Sequence, residues 1–280
     1  MTYYYFGELG FFADIILGEL EQFVAKNPAV KGYITIYSYT NFCKVIENLF
    51  PGFFSFHYQE FLFPIRSGHG FYDPFCDNEK YKGMKRLEDL FENTPKNILC
   101  SFEEAEKNNG VWKYYGKSIT KKVQIQNTKV DEMMKEYKRT NVYFFRHRNR
   151  VDSHRNFWYT PDIEEYLSLS LNNLDVLNVV YMCSDECYFP PFFSARTVTY
   201  NAQKNIYSCE NFEESITFFN KCDTFYSNDS GLIEFAKICG VKEVIVMPNY
   251  QWMPLWPGLI MINPFGTNIL SVVKGSENSN

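Results

Sequence analysis

Short β-prone apolar runs alternate along the chain with segments whose apolar positions recur at helical spacing. Thr2–Phe6 reads as a strand and runs straight into Gly7-Glu8-Leu9-Gly10. Phe11–Ala25 then carries apolar Phe12, Ile15, Ile16, Leu20, Phe23 and Val24, the spacing of a helix with one buried face. Strand, glycine-containing turn, helix is the opening of a Rossmann-like unit, and the two glycines permit a close backbone approach by a ligand. The spacing departs from GxGxxG, so the dinucleotide fingerprint is absent. Tyr33–Tyr37 reads as the second strand, Thr40 as the N-cap of a helix through Leu49, and Phe53–Tyr58 and Phe61–Phe63 as further strands. Pro64–Asn78, which includes His69, is a long surface loop. Lys82–Phe91 reads as an amphipathic helix, Asn97–Leu99 as a short strand, and Lys107–Thr128 is polar and weakly patterned.

The second half has a cleaner rhythm. Val130–Arg139 reads as a charged helix at the domain junction, Val142–Phe145 as a strand, and Pro161 opens a helix to about Asn172. Val176–Met182 has the pattern of a buried strand, Thr197–Tyr200 is a short one, and Asn211–Asn220 is helical. Thr224–Tyr226 ends at Ser227-Asn228-Asp229-Ser230-Gly231, which opens the helix Leu232–Cys239. Glu243–Met247 and Leu259–Ile262 finish the sheet, and the polar tail after Gly266 is expected to fray. The expected fold class is α/β, with two doubly wound Rossmann-like domains, residues 1–135 and 136–280, facing a cleft.

Composition narrows the function. At 280 residues the chain makes one large domain or two of about 140 residues each, and its 45% hydrophobic content is enough for a sizeable core. Its pI near 5.5 argues against general nucleic-acid binding, which needs a broad basic face. The eight cysteines contain no CxxC pair, which points to free thiols in a reducing compartment; zinc at Cys183 and Cys187 lacks two further ligands. No apolar run approaches the roughly 18 residues of a membrane span, and the first residues lack the basic start of a signal peptide. A cytoplasmic protein without a membrane span is expected.

Against this acidic background, Lys138–Arg155 holds six Lys/Arg and one acid. Arg146, Arg148 and Arg150 follow a strand directly, with Asp152 close behind. Planar guanidiniums there suit an internal carboxylate or a ligand phosphate, since each donates two parallel hydrogen bonds. In open α/β sheets ligands bind outside the carboxyl ends of strands. Glu8/Asp14, Arg146–Asp152, Ser184–Glu186 and Ser227–Gly231 all fall at such ends. The last combines small hydroxyl residues and glycine at a helix N-terminus, which fits phosphate binding; Asp229 fits plain capping equally well. The arginines at the same kind of edge favour a pyrophosphate.

Asp229-Ser230-Gly231-Leu232, with Glu234-Phe235-Ala236 behind it, resembles the donor-diphosphate turn of the GT-B heptosyltransferases, and Ala13-Asp14-Ile15-Ile16 is similar to the core of their N-terminal loop. Asn149-Arg150-Val151-Asp152, then Ile163-Glu164-Glu165-Tyr166, resembles the Arg-Arg-x-Asp motif and following helix of the α1,6- and nodulation fucosyltransferases. Ser184-Asp185-Glu186 and Ser227–Ser230 match their later motifs in order. The first of the paired arginines is Asn149 here. These resemblances imply a GT-B fold and an inverting, metal-independent transfer of a sugar, fucose from GDP-fucose first, to a glycan hydroxyl. Arg150, with Arg146 or Arg148, would neutralise the departing nucleoside diphosphate beside Ser227, Ser230 and Gly231. Asp14, or next Glu8, would be the base, Asp185 would contact the nucleoside, and Asp152 would orient the arginines. For Asp14 the alternative is a solvated place in the first helical turn.

Three other readings compete: a GT-B transferase using an ADP- or UDP-sugar, a non-catalytic nucleotide- or glycan-binding module, and an RNA binder stacking bases on Phe157, Trp158 and Tyr159. Trp252 and Trp256 are candidates to line an acceptor site or simply to cover a sheet end.

Overall fold

The computed structural model describes residues 1–5, 9–38, 40–59, 83–91, 119–144, 173–181, 200–201, 205–209, 211–227, 231–246 and 264–271. The chain divides into two compact units. The first comprises Met1–Ile125, Lys237–Cys239 and Trp256–Phe265; the second comprises Gln126–Ala236, Gly240–Leu255 and Gly266–Asn280.

In the first unit, β1 (Thr2–Tyr5), β2 (Ile34–Ser38) and β3 (Phe54–Tyr58) form a parallel sheet in that order. On the side of β1 opposite β2, Tyr4 makes a parallel bridge to Arg86, its N–H donating to the Lys85 carbonyl at 2.9 Å. The sheet therefore continues past β1, the 3-2-1-4 beginning of a doubly wound unit. Strand alternation puts Tyr3, Tyr5, Ile34, Ile36 and Phe54 on the buried face. Against it lies a cluster of rings: Phe12 stacks on Phe42 at 3.9 Å and 4°, and Tyr5 lies 4.8 Å from Phe12.

The expected helix after β1 is continuous in sequence but not uniform. It runs as α1 (Leu9–Phe11), a π-helical segment Phe12–Ile16, and α2 (Leu17–Lys26). Two other expectations fail. The next helix, α3 (Cys43–Leu49), starts after Phe42, and Thr40 is not its cap; the Thr40 N–H donates instead to Ser38 Oγ at 3.1 Å. The amphipathic pattern at Lys82–Phe91 yields one 3-10 turn, Leu87–Leu90. Gly83 at φ +92° and Arg86 in extended conformation, taken up by its bridge to Tyr4, break the helix before it can propagate.

The second unit holds α4 (Thr128–Lys135), β4 (Arg139–Phe144), β5 (Val176–Tyr181), β6 (Tyr200–Asn201), β7 (Ile206–Cys209), α5 (Phe212–Phe219), β8 (Thr224–Ser227), α6 (Gly231–Cys239), β9 (Glu243–Val246) and β10 (Asn268–Ser271). The last turn of α6 belongs to the first unit. Its seven-stranded sheet has the order β10-β9-β8-β4-β5-β7-β6, parallel except for β6 against β7. Val142, Val179, Phe225 and Val244 are buried on one face, and Tyr143, Val180, Tyr226 and Ile245 on the other. Burial on both faces explains why these strands read as continuous apolar runs. Asn211 starts α5 as expected: its Oδ1 accepts from the Glu214 N–H at 2.8 Å, with Glu213 and Glu214 in the first turn.

Three boundaries depart from the sequence reading. Arg139, expected to end a helix, opens β4, because its strand pairs with β5 from Arg139↔Val176 onward. Ile206–Cys209, unassigned by pattern, is an inner strand between β5 and β6. The tail does not fray at Gly266: Asn268–Ser271 pairs in parallel with Glu243–Val246.

Candidate functional site

The strand order decides which ends of the chain meet. In the second unit β4 is flanked by β5 and β8, so direction of winding reverses between β4 and β8. That is the topological switch point, where loops leaving two neighbouring strands diverge and leave room for a ligand. Phe144, the last residue of β4, is in register with Ser227, the last residue of β8. The last residues of β4 and β8 therefore end side by side at one edge of the sheet. On the other side of β4, Val180 of β5 pairs with Tyr143. Arg146, Arg148, Arg150, Asp152, Asp185, Asp229 and Ser230 lie outside the described residues, as do His69, Cys183, Cys187, Phe157, Trp158, Tyr159, Trp252 and Trp256. Ser227 is fully buried, and Gly231 is the first residue of α6.

Beneath this edge the sheet carries a polar network that sequence reasoning missed. Asn141 Nδ2 donates to the Tyr143 hydroxyl at 3.2 Å, and that hydroxyl donates to Asn178 Oδ1 at 3.3 Å. Tyr143 also stacks on Tyr226 at 4.8 Å and 16°. Together these bonds tie β4 to β5 and β8, holding the three strand ends in a fixed relation. Asn in the middle of an apolar strand was the available signal, because a buried amide requires a partner.

In the first unit, Asp14 sits in the π-helical segment and is 3% exposed, among the buried side chains of Phe12, Ala13, Ile15 and Ile16. It does not occupy the solvated first-turn position that was its alternative. Lys237 Nζ lies 3.7 Å from Asp14 Oδ1, and the lysine side chain is wholly buried. This separation exceeds the roughly 2.7–3.2 Å of a direct N–H···O bond, so the two groups attract chiefly as charges. Away from water that attraction is weakly screened. Glu8 lies outside the described residues. Lys237 was overlooked, although Leu232–Cys239 is apolar apart from Glu234 and Lys237, and a lysine in such a helix needs an acid to face.

The free thiols of Cys209, Cys222 and Cys239 are buried, and burial pushes the Cys222 thiol up, which leaves it unreactive. Among the described residues no helix is long and apolar enough to cross a membrane.

No protein-family model matches the chain, and no curated protein matches it. Among solved structures it is similar to the glycosyl transferase family 9 protein from Veillonella parvula DSM 2008, with a TM-score of 0.50 at 12% identity, over 99% of this chain and 87% of that one. The shared element is the fold: this chain is a mixed α/β protein of GT-B-like architecture, built from parallel Rossmann-like sheets.

Proposed function

We propose that the protein is a glycosyltransferase that takes a sugar from a nucleotide donor and delivers it to a glycan hydroxyl. The observation that carries this reading is the register of Phe144 with Ser227, which brings the roots of the arginine-rich segment and of the Ser227–Gly231 turn together at a switch point. An anionic diphosphate is the ligand such an edge suits. The GT-B-like fold supports the same class.

In the proposed mechanism Arg150, with Arg146 or Arg148, stabilises the charge that develops on the departing diphosphate, assisted by N–H groups at Ser230 and Gly231. Asp152 orients the arginines and Asp185 contacts the nucleoside. Asp14 accepts the proton of the acceptor hydroxyl, with Glu8 as the other candidate base. The transfer inverts the anomeric centre and needs no metal, so turnover should persist in excess EDTA. GDP-fucose is the first donor to try, on the fucosyltransferase-like motifs; ADP- and UDP-sugars are the alternatives.

One observation favours a second reading. Asp14 is 3% exposed and paired with Lys237, as suits a structural charge pair. In that case the chain is a nucleotide- or glycan-binding module without turnover.

A thermal-shift panel with GDP, UDP, ADP and CMP, on wild type and Arg150→Ala, tests the reading. At ligand about 100-fold above its dissociation constant, binding adds about 2.7 kcal/mol of stability. A shift with one diphosphate that Arg150→Ala abolishes supports the donor site and names the base. Binding without release of the sugar selects the module. No shift with any diphosphate removes the reading.

A further inference from the structure

We propose that Lys237 is a positioning residue for Asp14: its buried ammonium keeps the carboxylate ionised inside the first unit. The catalytic part of this inference rests on Asp14 being the base, as proposed above; the charge pair itself does not.

The physical case starts from burial. Lys237 is 0% exposed and Asp14 3% exposed. A lone carboxylate or ammonium in such a place would give up its charge, because desolvation disfavours the ionised form. At 3.7 Å each supplies the other's counter-charge. Hydrophobic isosteres would fold at least as well as a buried ion pair, which makes the pair a weak device for stability. Its position adds a second observation. Asp14 is the middle residue of a five-residue π-helical segment, Phe12–Ile16, inside an otherwise α-helical run. A π-helical turn departs from the backbone's preferred hydrogen bonding, and such turns occur frequently at functional sites. The Phe12–Phe42 stack, at 3.9 Å and 4°, holds the start of this segment in place. Asp14 Oδ1 faces Lys237, so the ammonium bears on how the carboxylate is turned.

The experiment has two arms. Carboxyl-labelled aspartate is followed by 13C NMR at pH 7, with Asp14→Asn assigning the resonance. The wild-type signal is expected at the ionised position, and in Lys237→Met it moves toward the protonated one. A protonated Asp14 in the wild type overturns the inference, whether or not Lys237→Met folds. The second arm measures steady-state turnover of the nucleotide sugar that the wild type accepts, starting with GDP-fucose. Lys237→Met should lower kcat about 100-fold, the lower range of what a positioned base contributes, with donor KM within about twofold. Lys237→Arg, which keeps the cation, should recover at least about tenfold of that loss. A folded Lys237→Met with wild-type kcat overturns the positioning role while leaving the transferase reading intact. An ionised Asp14 in a protein that turns over no donor removes the transferase reading, and the catalytic role of Lys237 with it.

Discussion

Among the described residues the first unit holds a buried ion pair and the second holds exposed ones, although both are built on parallel Rossmann-like sheets. In the first, Asp14 and Lys237 meet 3.7 Å apart with almost no access to water. In the second, two described ion pairs sit at the amino ends of the strands and reach solvent: Lys138 with Asp175, at 2.7 Å and 81% and 56% exposed, and Lys242 with Asp223 at 3.0 Å. There the carboxyl ends are positioned by neutral groups, Asn141, Tyr143 and Asn178. Charge kept in water is nearly free to form and nearly worthless to stability. Charge kept in a core is costly to hold, and its retention suggests a purpose beyond stability. The contrast separates a buried ion pair in the first unit from the solvent-facing pairs and the neutral Asn141–Tyr143–Asn178 network of the second.

The sharpest way to break that contrast is to remove one buried partner. Lys237→Met should destabilise the protein by about 3–5 kcal/mol in urea unfolding, because it removes the counter-charge that the lysine gives a buried carboxylate. The double variant Asp14→Asn, Lys237→Met should recover most of that loss; additive losses would mean that the two groups do not interact. Phe12→Ala, which empties the ring cluster beside Asp14, should cost about 3–5 kcal/mol by the same measurement. A smaller effect is expected in the second unit from Asn211→Ala, about 1 kcal/mol, since only the cap of α5 is lost. Smallest of all, Lys138→Ala should leave the midpoint of thermal unfolding unchanged within error at neutral pH. The hydrogen bond to Asp175, and next its charge, raise the Lys138 pKa above its ordinary 10.5. Its contribution is therefore fully present below pH 10.5 and disappears only as pH climbs through the raised value. If Lys138→Ala destabilises as much as Lys237→Met, the distinction between the units is wrong.

Much of the architecture was written locally in the chain. Val176–Tyr181, Thr224–Ser227 and Glu243–Val246 are strands because β-branched and aromatic residues run together there without a helical period. Asn211 begins a helix because its side chain satisfies an N–H that the helix itself leaves open. The order of elements and the strand–turn–helix leading to Gly231 followed from such short-range rules. Other features needed partners remote in the chain. Val130–Arg139 carries a helical pattern to its end, yet Arg139 joins a strand because β5 offers it a ladder. Ser271 and its neighbours pair with β9 through the backbone, which depends little on side-chain pattern, so the polar tail concealed β10. The adjacency of Phe144 and Ser227 is a matter of strand order, to which local periodicity is blind. Asp14 is the plainest case. A carboxylate in a first helical turn reads equally well as solvated, and only the folded chain brings Lys237 to it. Hydrophobic period and capping act over a few residues and are legible in sequence. Whether a charge is buried depends on a counter-ion elsewhere in the chain, and that is settled when the chain packs.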